Sequence, residues 1–167
     1  NISEKIKKII PNITITKKEI KEANNNYIQK LIVNKVDISV KIEPNFTMRG
    51  TVFPVQERRL VTNIETRFGE YSSIQILSIA DLYGSKICAA LDRQHPRDLF
   101  DVKLMFDNNI FTEEVKNAFI VYLISHNRPI NVLLNPNLKD LNNSFYNEFV
   151  GMSENIIKLE DLESVRV

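Results

Sequence analysis

Apolar residues change their spacing part-way along this chain, and the change separates two kinds of structure. Ile2, Ile6, Ile9 and Ile10 recur at helical intervals before Pro11, which predicts a short amphipathic helix ended by the proline. Ile13 to Thr16 reads as a strand, and the Lys/Glu-rich run behind it with Asn24-Asn25-Asn26 reads as a polar connector. Tyr27 to Val33 is rich in β-formers and Asp37 to Glu43 alternates strictly, so two adjacent antiparallel strands are expected. On the second of these, Ile38, Val40 and Ile42 would face a core, while Asp37, Ser39, Lys41 and Glu43 share the other face and Pro44 ends the strand. Gly50 to Val55, Leu60 to Ile64 and Ile74 to Leu77 are further short strand candidates.

From Ser78 onward the period becomes helical. Ser78 can serve as an N-cap with Asp81 at the third helical position, and Ile79, Leu82, Tyr83, Ile87, Ala90 and Leu91 form an apolar stripe. Gln94-His95 interrupts that helix, and Pro96 suits the first turn of a second one running to about Phe106. Thr112 with Glu113 and Glu114 starts a third, which ends near Asn127-Arg128-Pro129; a fourth is expected over Leu138 to Phe149, stopped by Gly151. Strands first and helices later predict an α+β fold: a small, mostly antiparallel sheet within residues 1–77, then a helical bundle over residues 78–167.

Composition narrows the functional classes. The 167 residues are 43% hydrophobic and 26% charged, enough to bury a sizeable core. The formal charge of +1 supplies no global field for a polyanion, so any nucleic-acid contact must be local. Cys88 cannot form an intrachain disulfide and lies in the apolar run Ile87 to Leu91, which predicts a buried small hydrophobe. No apolar run approaches bilayer length and the start has no signal-peptide layout, so a cytoplasmic chain with no membrane partner is expected. A first residue of Asn rather than Met suggests a fragment boundary.

Charged groups are densest where the first two long helices meet. Lys86 and Arg93, two turns apart, lie on roughly one side of the first helix, and Asp98 and Asp101 share a face of the second. Phosphoryl or nucleotidyl transfer needs cations that neutralise triphosphate charge and carboxylates that hold a divalent metal, and Lys86, Arg93 and Arg97 beside Asp98 and Asp101 are suitable in kind. An ordinary ion-pair network explains the same residues: Arg97 would pair with Asp101 at a spacing of four, and Asp98 would neutralise the end of the first helix. Glu43, on the polar face of its strand, could serve as a metal ligand or base, or pair with a neighbouring strand residue. His95 and His126 lack zinc-ligand spacing, and four isolated glycines exclude a glycine-rich phosphate loop.

The block Lys86 to Asp101, Lys-Ile-Cys-Ala-Ala-Leu-Asp-Arg-Gln-His-Pro-Arg-Asp-Leu-Phe-Asp, resembles the K-x-x-A-x-x-D-R-x-x-P-R-D-x-x-D signature of AbiEii/AbiGii-type nucleotidyltransferase toxins. Val40 to Asn45 is similar to that family's strand bearing a late acidic residue, and Ser125 to Ile130, Asn135 to Asn137 and Asn147 to Met152 are similar to its C-terminal helical region. The resemblance implies a polymerase-β-like nucleotidyltransferase fold that uses Mg²⁺ and a nucleoside triphosphate, an RNA or protein acceptor, and an antitoxin partner. No cofactor is expected to be required for folding. Carried over by position, Lys86, Arg93 and Arg97 would contact the nucleotide, Asp98 and Glu43 would be site carboxylates with Glu43 on the metal, and Asp92 and Asp101 would support them. The family's Gly-Gly-Ser/Thr turn and Asp-x-Asp pair are missing from these 167 residues, so the chain by itself is expected to be the inactive C-terminal part of an active parent. The alternative from another class is a non-catalytic module that binds a partner such as an antitoxin; a nucleic-acid-binding domain finds poor support in the near-zero charge.

Overall fold

The computed structural model describes residues 2–22, 25–44 and 50–166. Asn24 of the expected connector and Asn45 at the end of the acidic strand motif lie outside them. Two compact units are present, Asn1–Gly50 and Thr51–Val167, and residues 51–77 group with the helices in the second. With 48% helix and 19% strand, the fold is α+β.

The first unit opens with α1 (Ile2–Ile9), ended by Pro11 as its spacing predicts. A three-stranded antiparallel meander follows: β1 (Thr14–Glu22), β2 (Asn25–Lys35) and β3 (Ile38–Ile42). The expected polar connector is instead sheet. Lys17, Lys18, Glu19 and Lys21 pair across β2 through a register shift at Lys18/Glu19, and ladder hydrogen bonding prevails over a composition poor in β-formers. Ile15, Val33 and Val40 occupy one row of the sheet, and Leu31 and Ile42 lie opposite each other in another. Leu31 and Val33 on the middle strand are buried, but Ile38 and Val40, expected to face the core, are 66% and 51% exposed because β3 is an edge strand. The two-residue turn joining β2 to β3 puts Val36 at φ 50°, a left-handed value that a β-branched side chain adopts at a cost.

In the second unit a two-stranded ribbon, β4 (Gln56–Arg59) with β5 (Ser73–Ile76), flanks α2 (Thr62–Phe68). Two strand expectations fail here. Residues 50–55 form no ladder because the Val52 and Phe53 amides are taken by the Asp81 carboxylate, at 2.7 and 3.0 Å. The segment 60–64 is largely helical: Leu60, Ile64 and Phe68 recur every four residues, and Gly69 at φ 65° caps the end.

Helices α3 (Ile79–Arg93), α4 (Pro96–Asp107) and α5 (Glu113–Ile124) agree with the apolar stripes. The short α6 (Ile130–Leu134) was not foreseen, nor was α8 (Leu159–Glu163) with its closing 3₁₀ turn Ser164–Arg166. The expected helix over 138–149 begins late, at α7 (Asn142–Ser144), because Asp140 accepts the Asn142 amide at 2.9 Å and holds a turn before it. It then widens to a π turn, Phe145–Phe149, in which Val150 N–H reaches the Phe145 carbonyl. Leu99, Val102, Met105, Val115, Ala118, Leu141, Phe145, Phe149 and Leu162 form the core between α3, α4, α5 and the C-terminal turns. Gly84 lets α3 approach α5 closely: a Cβ there would sit 2.7 Å from Phe119 N and 2.8 Å from Ala118 Cβ.

Candidate functional site

The charged block forms a helical hairpin with a tightly capped elbow. Gln94 takes a left-handed conformation, φ 52°, and ends α3; His95 caps α4 by accepting the Arg97 amide on Nδ1 at 3.2 Å, and Pro96 fills the first helical position. At the other end of α3, Ser78 accepts the Asp81 amide at 3.0 Å.

Across the hairpin, α3 and α4 exchange two ion pairs. Lys86 Nζ bonds Asp101 Oδ2, and nearer the elbow Arg93 bonds Asp98 Oδ1. Lys86 and Asp101 are each about one-third exposed, whereas Arg93 is 61% exposed and Asp98 only 13%. The expected Arg97–Asp101 pair does not form, since Asp101 turns inward to Lys86 and Arg97 leans to Glu148 at 3.6 Å, a group that also meets His95 Nε2 at 3.2 Å. Asp98 neutralises Arg93 at the end of α3, as the ion-pair reading expects. Asp92 accepts from Arg128 and lies 3.9 Å from His126. Lys139 donates to the Arg93 carbonyl at 3.1 Å.

The hairpin therefore brings together Lys86, Arg93, Arg97, Asp92, Asp98 and Asp101, and adds Arg128, Lys139 and Glu148 from later turns. Arg128 and Glu148 lie in segments that carry the family resemblance, but no local spacing joins them to the hairpin. Glu43 belongs to the first unit, where it pairs with Lys30 of β2 at 2.7 Å, the position next in register to Leu31–Ile42. The hydrogen bond and charge of Lys30 hold the Glu43 carboxyl below the usual carboxylate range.

These acids do not fit a magnesium ion as they stand. Asp98, Asp101 and Glu43 each face a cation, and among the described residues no three His, Cys, Asp or Glu side chains gather where they could hold a metal.

A more deeply buried carboxylate, Asp81, lies in the first turn of α3. Its Oδ1 accepts from Val52 N–H at 2.7 Å and Tyr122 O–H at 2.6 Å, and its Oδ2 from Phe53 N–H at 3.0 Å and Ser78 O–H at 2.7 Å. Burial opposes its charge, yet the bonds from Tyr122, Val52, Ser78 and Phe53 together keep its carboxyl below the ordinary range. Burial and then Asp81 push the Tyr122 phenol up. Cys88 is buried as expected, and burial pushes its thiol up to about 12, which makes it inert as a nucleophile.

A family model described as nucleotidyl transferase AbiEii toxin, type IV TA system, matches residues 1–164. The chain belongs to the AbiEii nucleotidyltransferase toxin family. No curated protein sequence matches it, and no solved structure does. Membership in this AbiEii family carries a toxin nucleotidyltransferase type of function, with nucleoside triphosphate use and an antitoxin implied at the level of the family. No described helix is long and apolar enough to cross a membrane.

Proposed function

We propose that the α3–α4 hairpin is the phosphate-contacting part of an AbiEii-type transferase that moves a nucleotide from a nucleoside triphosphate to an RNA or protein hydroxyl. In that reaction the acceptor oxygen bonds the α-phosphorus, the bond to pyrophosphate breaks, and negative charge grows on the departing oxygens. Lys86, Arg93 and Arg97 are the groups that would meet this charge, and cations set in advance lower the barrier by stabilising it as it develops. The observation that carries the reading is the gathering of these three cations on one hairpin, with Arg93 and Arg97 61% and 54% exposed. Asp98, held by Arg93, would fix the guanidinium's direction as a site carboxylate, with Asp92 and Asp101 in support and Glu43 as the acid of the strand motif. The described acids each face a cation rather than gathering around a metal position, so the reading rests on Lys86, Arg93 and Arg97.

The test is transfer of label from nucleoside triphosphates to total RNA and protein, using the protein as its gene encodes it. Lys86→Ala and Asp98→Ala should each abolish transfer while leaving the circular dichroism spectrum unchanged. Asp101→Asn breaks the same ion pair as Lys86→Ala but keeps the cation, so it should retain most activity. Full activity in Lys86→Ala and Asp98→Ala, or equal loss in all three, would refute the assignment. An encoded protein with no transfer at all would favour the antitoxin-binding module instead.

A further inference from the structure

Two histidine–arginine turns meet the hairpin near its elbow, and they share one pattern. His95 Nδ1 accepts the Arg97 amide at 3.2 Å, and His126 Nδ1 accepts the Arg128 amide at 3.1 Å. In each turn the histidine Nε2 and the arginine guanidinium converge on one carboxylate, Glu148 for the first and Asp92 for the second. Because Nδ1 accepts an amide, the neutral ring carries its proton on Nε2 and donates from there.

The two carboxylates are held differently. Asp92 is 28% exposed, and Arg128 donates to its backbone carbonyl at 3.2 Å as well as to its side chain, so that turn is closed. Glu148 and Arg97 are 52% and 54% exposed, and their 3.6 Å separation exceeds a hydrogen bond. The same oxygen of Glu148, Oε2, meets His95 Nε2 at 3.2 Å. Exposed pairs of this kind contribute little free energy, so an anion of greater charge can displace the carboxylate. Glu148 stands on the π turn Phe145–Phe149, and both of those phenylalanines are buried, which fixes the backbone beneath a side chain that is free to turn outward.

We propose that Glu148 stands in for a triphosphate oxygen, and that nucleotide binding makes His95 and Arg97 exchange its carboxylate for that oxygen. The exchange rests on the transferase reading and adds two groups to it: His95 as a neutral donor to the phosphates, and Glu148 as an internal competitor for them. No covalent bond changes; two donors pass from a carboxylate to a phosphate oxygen in a more highly charged group. Asp92 keeps its partners, because Arg128 grips it at two points.

Tripolyphosphate is the probe, titrated by calorimetry into the protein as its gene encodes it. Glu148→Gln should bind it about three- to fivefold more tightly than wild type, the worth of releasing one exposed ion pair. Glu154→Gln removes the same charge from an exposed residue outside the turn and should bind as wild type does. In a background carrying both Arg97→Gln and His95→Asn the gain from Glu148→Gln should vanish, since the donors competed for are gone; Asn at position 95 can still cap α4. Unchanged or weaker binding in Glu148→Gln, an equal gain in Glu154→Gln, or a gain that survives in the double background overturns the exchange. If wild type binds tripolyphosphate and Lys86→Ala weakens it, the transferase reading stands through any of those results. Binding untouched by Lys86→Ala, or absent from wild type and Glu148→Gln alike, overturns the reading and the exchange together.

Discussion

Replacing Asp81 with Asn tests whether one buried carboxylate holds the irregular 51–55 segment onto the helices. The substitution turns one of the two oxygens into an NH₂ group. On whichever side that happens, the hydroxyl of Ser78 or Tyr122 can rotate and accept, but the amide of Val52 or Phe53 cannot. One stranded amide costs about 1–3 kcal/mol, and the remaining bonds each weaken by roughly 1 kcal/mol as a charged acceptor becomes neutral. Relief from burying a charge offsets part of this, so a net loss of about 3 kcal/mol is expected, a large share of a typical domain's stability. Tyr122→Phe removes a single bond to the carboxylate and should cost roughly 1.5–3 kcal/mol. Urea unfolding followed by circular dichroism measures both. The sign with pH is fixed by the direction of the shift: the folded carboxyl lies below its ordinary 3.8, so its contribution is complete above that value and is lost as pH falls through the folded one. The gap between wild type and Asp81→Asn should therefore be widest near neutrality and shrink in acid. A loss under about 1 kcal/mol, or a gap that ignores pH, would refute the reasoning.

Two further substitutions probe packing and backbone. Gly84→Ala forces a methyl to within 2.7 Å of the Phe119 backbone nitrogen, so α3 and α5 must separate; a cost of about 1–3 kcal/mol in thermal or urea unfolding is expected, and a neutral result would mean the helices yield freely. Val36→Asn places a residue tolerant of left-handed backbone at φ 50°, and because Val36 is 92% exposed it loses no packing; the β2 and β3 amides should gain about 1 kcal/mol of protection in hydrogen exchange, and reduced protection would refute the turn strain.

Much of this molecule was legible wherever side-chain period and burial agree. The stripe from Ile79 to Leu91, the Ser78 cap and Pro96 at a helix start located α3 and α4 closely, because each has a local physical cause. Reading failed where a distant group decided the backbone's hydrogen bonds. Nothing between Gly50 and Val55 announces that Asp81, 29 residues beyond Val52, will occupy the amides a strand would need. Leu60 to Ile64 is rich in β-formers, yet the four-residue spacing of Leu60, Ile64 and Phe68 prevails and most of the segment is helical. At the site, composition and spacing located the charged residues of the hairpin but not their pairing. A spacing of four could not choose between Arg97–Asp101 and the observed Lys86–Asp101 contact, which depends on how two helices face each other. Glu148 and Arg128 reach the hairpin from 53 and 36 residues beyond their partners His95 and Asp92, separations that carry no periodic signal.

The neutral side chain at the hairpin's elbow also has a consequence for synthesis. Gln94 is satisfied by residues 43, 45 and 72 positions later. During translation α3 and α4 leave the ribosome before Asn137, Lys139 and Arg166 do, so until those residues emerge the elbow must keep its amide hydrated. Closure of this elbow is thus a late event in the unit's biogenesis, and the nascent hairpin stays open to other chains until it happens.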